Sequence, residues 1–300
     1  WWYEWICERF EELPGAIWCV GRPEAWQIGV YYAGLLGWII VRNHVTEIGK
    51  WIEKVKENCN IRRKEVIQTA NQAFPNEIKE ENPVNNFWHG LQTSVRNKNV
   101  RTCIYLIALL FLLTGKFDCH SRVTFLDVGQ GDGVVVETAQ GAYLFDCGST
   151  SRKKIGEYVL KPYLKSRGIS SLRGVFVSHP DEDHMNGVKE MLESQKLNIK
   201  IKALVLPVKE VWDDKLKDLS KTAEENRTKV IIMSAGQQFA EYKEDISFTL
   251  TCIGPVKNYS GENGNAASMV LDLKFDEFDM LFTGDLEGEG ETQLIESGSL

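Results

Sequence analysis

The stretch Gly174–Gly187, GVFVSHPDEDHMNG, decides how the chain is read. Val175, Phe176 and Val177 form a β-branched and aromatic run, which predicts a short buried strand. The run stops at Ser178, and His179, Asp181, Asp183 and His184 come at once after it. Imidazole nitrogen and carboxylate oxygen at that density make a ligand set for a divalent cation such as Zn²⁺, Mn²⁺ or Fe²⁺. Consecutive Asp183 and His184 cannot point the same way on a regular strand, so they suit a loop that splits ligands between two ions. The competing expectation is a polar strand-to-helix loop, with Asp181 or Asp183 capping a helix that begins near Met185.

Outward from this loop, the pattern from Arg122 onward is α/β. RVTFLDVGQGDGVVVET gives a strand over Val123–Val128, a turn at Gly129–Gly133 and a strand over Val134–Thr138. A third strand, Ala142–Asp146, runs into Cys147-Gly148, and Ile155–Arg167 reads as a helix. Ala203–Leu206, Lys229–Ser234, Phe248–Ile253, Met269–Phe275 and Met280–Thr283 supply further strands. A charged helix falls at Trp212–Arg227 and a hairpin turn at Asp276–Asp279. Strands interleaved with helices predict a layered sheet enclosure rather than a helical bundle. Asp146, Asp285 and the 181/183 pair all stand just past strand ends, where the loops of one sheet edge gather. Asp285, with two oxygens, suits a bridge between two cations, and Asp146 suits an acceptor that fixes a histidine tautomer. Either aspartate alone also reads as a turn residue beside glycine.

The first part of the chain has another character. Trp1–Phe10 is an aromatic-rich amphipathic segment, either lying at a membrane interface or packing as a core helix. Ala25–Val41 and Cys103–Leu113 are apolar, each either a membrane helix or a core helix, and together they favour the membrane. The polar loop 42–101 between them carries Arg42, Arg96, Lys98 and Arg101 near the apolar ends. That charge bias places the loop in the cytoplasm and the chain beyond Phe117 on the outer face. The net charge is −7, and residues 118–300 hold 21 Lys/Arg against 30 Asp/Glu. Broad electrostatic attraction to nucleic acid is therefore not predicted. The basic run Arg152, Lys153, Lys154 with Lys161, Lys165 and Arg167 is either a set of phosphate contacts or a solvated helix face. Seven scattered cysteines without CxxC spacing give no zinc ribbon and no disulfide framework. A start at Trp1 and an end at Leu300 inside a continuing pattern predict a piece of a longer protein.

VTFLDVGQGD, LFDCG, GVFVSHPDEDHMNG and MLFTGD, in that order, resemble the metallo-β-lactamase-like domain of ComEC-type DNA-internalisation proteins. ICERFEELPGAIWCVGRPEAWQIGVYY resembles the end of that family's membrane competence region. The resemblance implies an αββα sandwich over residues 118–300, truncated at its C-terminus and preceded by membrane-associated α-helices over 1–117. It implies a multi-pass cell-membrane protein with this domain on the outer face. His179, Asp181, Asp183 and His184 then occupy the metal motif and Asp285 the bridging position. Gln130 and Asp132 fall in the family's first turn, while Asn265 and Ser268 lie on the run into the last strand pair, facing the site or serving a turn. Asp181 stands where many relatives have histidine, and its harder oxygen tilts preference from Zn²⁺ toward Mn²⁺ or Mg²⁺. No histidine lies between His184 and Asp285, so the family's third imidazole is absent, and its later His-rich motif would fall beyond Leu300.

The implied activity is phosphodiester hydrolysis with two divalent ions, in which Asp183 both binds and orients the nucleophile. Its implied substrate is DNA, single-stranded in particular, with the membrane and other DNA-uptake components as partners. Alternatives are another hydrolase of the same fold, and a non-catalytic domain that positions DNA at a translocation channel.

Overall fold

The computed structural model describes residues 2, 5, 9, 20–40, 98–115, 121–138, 140–194, 199–243, 246–275 and 277–298. Most of Trp1–Phe10 and of the 42–101 loop, with His44, His89 and His120, lies outside these. The chain divides into two compact units, Pro23–Gly115 and Trp1–Arg22 with Lys116–Leu300.

The first unit contains helix α1 (25–40) and helix α2 (Lys98–Thr114). The Gln27 side-chain amide donates to the carbonyls of Leu112 and Gly115 at 2.7 and 3.0 Å, and the Tyr105 hydroxyl donates to Gly34 O at 2.6 Å. Leu36, Ile107 and Phe111 are exposed. The expected membrane spans are not supported: among the described residues no helix is long and apolar enough to cross a membrane. The 17 residues of α2 rise roughly 25 Å, short of the ~30 Å hydrocarbon core.

The second unit is the expected layered enclosure. Its strands are β1 (Arg122–Phe125), β2 (Gly133–Thr138), β3 (Gly141–Cys147), β4 (Ser171–Phe176), β5 (Lys200–Ile201), β6 (Ala203–Leu206), β7 (Lys229–Ile232), β8 (Gln238–Lys243), β9 (Ile246–Gly254), β10 (Val270–Phe275) and β11 (Phe278–Phe282). One sheet runs β1-β2-β3-β4-β6-β7, with β5 beside β4; the other runs β11-β10-β9-β8. β3, β4, β6 and β7 are parallel, so their carboxyl ends share one edge. Helices α3 (Lys161–Ser166), α4 (Glu182–Glu193) and α5 (Asp214–Glu225) accompany the first sheet, and α6 (Gly288–Glu296) the second.

Alternation along the strands builds two cores. On β3, Leu144 joins an aliphatic cluster with Val175, Leu204, Leu206, Val188 and Leu219, between the first sheet and its helices. Its neighbours Tyr143 and Phe145 turn the other way, joining Phe176, Phe248, Leu250 and Leu271 between the sheets. Leu294 of α6 meets Ile253 and Val270 on the far face of the second sheet. The layers are thus α, β, β and α, as the αββα expectation requires.

Several boundaries differ from the sequence reading. The helix expected over Ile155–Arg167 is a π-helical turn, Gly156–Leu160, followed by α3. Pro162 lacks the N–H that would continue the α-helical ladder, which accounts for the irregularity. Strands β5 and β8 and helix α6 were not anticipated.

Candidate metal centre

The site is assembled at the carboxyl ends of β3, β4 and β11. Asp146, near the end of β3, has φ +48°, a left-handed backbone that residues with side chains rarely adopt. Such strain persists only where the surroundings over-determine it, and here they do. Oδ1 of this buried carboxylate accepts from the Ser178 amide at 2.8 Å, and Oδ2 accepts from the Ser178 hydroxyl at 2.7 Å. Oδ2 also lies 3.1 Å from His184 Nδ1.

These bonds assign the imidazoles. Since the Ser178 hydrogen goes to Asp146, its oxygen accepts from His179 Nδ1 at 2.9 Å. Nδ1 of His184 likewise donates to Asp146. In the neutral form of either ring Nε2 is then the nitrogen that carries the lone pair. Nε2 of His179 is buried and has no hydrogen-bond partner among the described residues; Asp181 Oδ2, at 3.6 Å, is too distant for one. Nε2 of His184 lies 3.2 Å from Asp285 Oδ1.

Local sequence explains the placement. Helix α4 buries His184, Met185, Val188, Met191 and Leu192 along one face. Asp181 is its N-cap residue, but the side chain makes no capping hydrogen bond, so the carboxylate stays available. The β3 loop lies directly against the start of α4 because residue 148 is glycine: a Cβ there would overlap the backbone of Glu182 and Asp183. Asn186 clamps the same loop, donating to Ser149 O at 2.7 Å and accepting from Ser149 N at 3.1 Å. The Asp132 amide donates to Asp183 O, and Asp132 O accepts from Gly148 N. From the second sheet, the Met269 amide donates to Ser178 O. Gly284, at φ +51°, packs on Ser178 and delivers Asp285.

Ligand atoms of His179, His184 and Asp285 lie within 4.8 Å of one another, as do those of Asp132, Asp146 and His184. The electrostatics ask for a cation. Burial and the neighbouring His184 charge lower the pKa of His179. Burial also opposes charge on His184, but the Asp146 hydrogen bond and the charges of Asp146, Asp285 and Asp132 prevail and push it up to about 9. Burial raises Asp132, against the pull of His184 and with the help of Asp146, Asp285 and Asp183. Crowded carboxylates around the buried, donorless Nε2 of His179 and around a His184 Nε2 whose proton a metal would displace fit a divalent metal ion.

The sequence-predicted residues fall into different places. His179, His184, Asp285, Asp146 and Asp132 converge. Asp181 stands at the rim, about half exposed. Asp183 belongs to neither group of ligand atoms. Gln130 is exposed and shapes its turn through the backbone, its amide donating to Ser151 Oγ and its carbonyl accepting from Thr150. Asn265 donates to Glu287 at 3.1 Å. Ser268 is buried beside Gly284, its hydroxyl without a hydrogen-bond partner among the described residues. Ser178 was missed, although its place between the strand and His179 was a signal. In the basic run, Arg152 pairs with Asp127 at 3.0 Å, Lys154 with Glu157 at 3.1 Å and Arg167 with Glu137 at 2.9 Å. Those three cations are engaged by carboxylates.

Residues 126–227 match the sequence model of the Metallo-beta-lactamase superfamily. The chain is 28% identical over 210 residues to ComE operon protein 3 of Bacillus subtilis (strain 168), covering 64% of this chain and 25% of that relative. It therefore spans about a quarter of the relative's length. Among solved structures, the metallo-beta-lactamase fold protein YhfI from Bacillus subtilis is 15% identical with a TM-score of 0.32, over 55% of this chain and 60% of that one. The short form of human tRNase Z is 15% identical with a TM-score of 0.29, over 57% and 73%. TM-scores this low leave the fold to the sheet order and the family match. In sequence the chain is thus similar to ComE operon protein 3, and residues 126–227 are similar to the metallo-β-lactamase superfamily.

Proposed function

We propose that residues 118–300 are a metal-dependent phosphodiesterase domain that cuts the non-transported strand of DNA during uptake. One observation carries the reading: two imidazole Nε2 atoms, their rings oriented by Asp146 and Ser178, converge with Asp285. His179, His184 and Asp285 would hold one divalent cation, and Asp132, gathered with Asp146 beside His184, would help hold a second. The preponderance of oxygen donors favours Mn²⁺ or Mg²⁺ beside Zn²⁺. When bound, such a cation supplies electrophilic pull on a phosphoryl oxygen and a water acidic enough to attack near neutrality. The chain's own residues do the rest. Asp146 holds the His184 ring in one orientation, and Ser178 relays the same carboxylate to His179. Asp183, on the first turn of α4, is the group assigned to orient the nucleophile. The exposed carboxylates of Asp132 and Asp285 leave one side of the cluster open to a phosphodiester. The relationship to ComEC-type proteins supports DNA as substrate and the membrane-associated uptake machinery as partner.

The test is cleavage of single-stranded and duplex DNA by the full chain with Mn²⁺, Zn²⁺, Mg²⁺ or a chelator. Chelator-sensitive cutting that a His179→Ala/His184→Ala variant lacks is expected. A folded chain that takes up the ion and cuts neither substrate overturns the reading in favour of a scaffold that positions DNA.

A further inference from the structure

A cavity of about 180 Å³ opens beside the metal centre, between the edge strands β1 and β11. Asp132, Asp146 and Ser178 form its polar end, and two of these carboxylates are the ones gathered at His184. Its walls are apolar, with Phe125, Phe145, Met280 and Phe282 among them. The Phe145 and Phe282 rings are nearly parallel, 3° apart in plane and 3.9 Å between centroids, so they stack face to face in the cavity wall. At the mouth Phe125 is 70% exposed, although Val123 and Val134 beside it pack into the core between the sheets. An aromatic ring left in water beside a cavity is an uncovered contact surface. The volume is well below the ~300 Å³ at which sites for drug-sized ligands begin, so it suits one ring-sized group.

We propose that this cavity receives the base of the nucleotide next to the scissile phosphate, stacked against Phe125. The proposal rests on the phosphodiesterase reading and deepens it, for it makes the substrate a base-bearing strand instead of a generic phosphodiester. Stacking on an aromatic side chain accepts every base, since each has a π-face, so the pocket confers a demand for a base without a sequence preference. The phosphate one linkage away then falls at the polar end, against the ligand residues.

Two measurements on the full chain test this. In the first, oligonucleotides of one sequence carry either a normal base or a tetrahydrofuran abasic unit at a single position, and cutting at the adjacent bond is followed with Mn²⁺. About tenfold slower cutting at the abasic unit is expected, with the ratio falling toward one in Phe125→Ala. A Phe239→Leu variant, altered between the sheets away from the metal centre, should keep the ratio. In the second, no metal is added, and an oligonucleotide containing 2-aminopurine is titrated with the chain. Its fluorescence should be quenched by stacking, and the quench should weaken about tenfold in apparent affinity in Phe125→Ala. Equal cutting of both oligonucleotides, unchanged by Phe125→Ala, overturns the base pocket and leaves the phosphodiesterase standing. Phe125-dependent quenching without any cutting supports the pocket and removes the phosphodiesterase.

Discussion

Two cavities of about 180 Å³ lie between the sheets, and they differ in what borders them. The one beside the metal centre ends on Asp132, Asp146 and Ser178. The other is walled by Tyr143, Val205, Ile231, Met233 and Phe239, with Arg173 at its edge donating to the Gln140 carbonyl. Both arise because twisted sheets packed through large aromatic side chains leave gaps. Only the first borders the carboxyl ends of β3 and β4, where a strained aspartate and two buried histidines are held. A gap in packing gains chemistry from the strand ends it opens beside, and volume by itself confers none.

The comparison can be broken at several points. The largest effect is expected from His179→Ala/His184→Ala. Metal-dependent cleavage should drop by more than the ~100-fold that marks the upper range for residues supporting metal ligands, as read by gel assay. Asp146→Asn keeps the side-chain volume but weakens the grip on both rings, so divalent-cation affinity should fall roughly 10- to 100-fold by calorimetry. At the remote cavity Met233→Ala should cost about 2–5 kcal/mol in denaturant unfolding, while cleavage per folded molecule stays within about twofold. A comparable loss of cleavage there would erase the distinction between the cavities.

The smallest effect concerns Tyr163, whose hydroxyl donates to Glu137 at 2.7 Å and lies 2.8 Å from the Thr124 hydroxyl. Burial foremost, with the nearby Glu137 carboxylate, pushes its pKa up to about 12. The folded chain thus keeps a proton that the unfolded chain releases near pH ~10. This contribution is intact below that pH and is lost as pH rises toward ~12. Unfolding curves of Tyr163→Phe should be flatter than those of the parent across that window, and identical slopes would refute the assignment.

Much of this architecture was legible because buried parallel strands declare themselves. The apolar runs at β3 and β6 predicted strands that the fold contains, but the division of β3 between two cores at Leu144 was not read from them. Helix α6 was hidden because Gly288 and Gly290 depress helix propensity. It is held instead by Leu294 on the sheet and by the close approach of Gly290 to Ala266. The ligand cluster was visible as a motif and Asp183 was expected to diverge from His184, but on a loop, with a helix only from near Met185. Successive residues on a helix point about 100° apart, so once α4 starts at Glu182, His184 and Asp183 must diverge. It is the histidine that shares the buried face with Met185 and Val188. The partnership of Asp146 with Ser178 depends on a contact 32 residues apart, which no local pattern encodes.

Gly148 lies where the β3 loop and the first turn of α4 share almost no space. A single methyl group there would act as a wedge, prising the carrier of Asp146 from the carrier of His184. Exposed residues on α4 meet no such limit, whereas any side chain at residue 148 would overlap the backbone of Glu182 and Asp183. The alignment of the candidate metal centre therefore rests on an absence: it holds as long as nothing is added at residue 148.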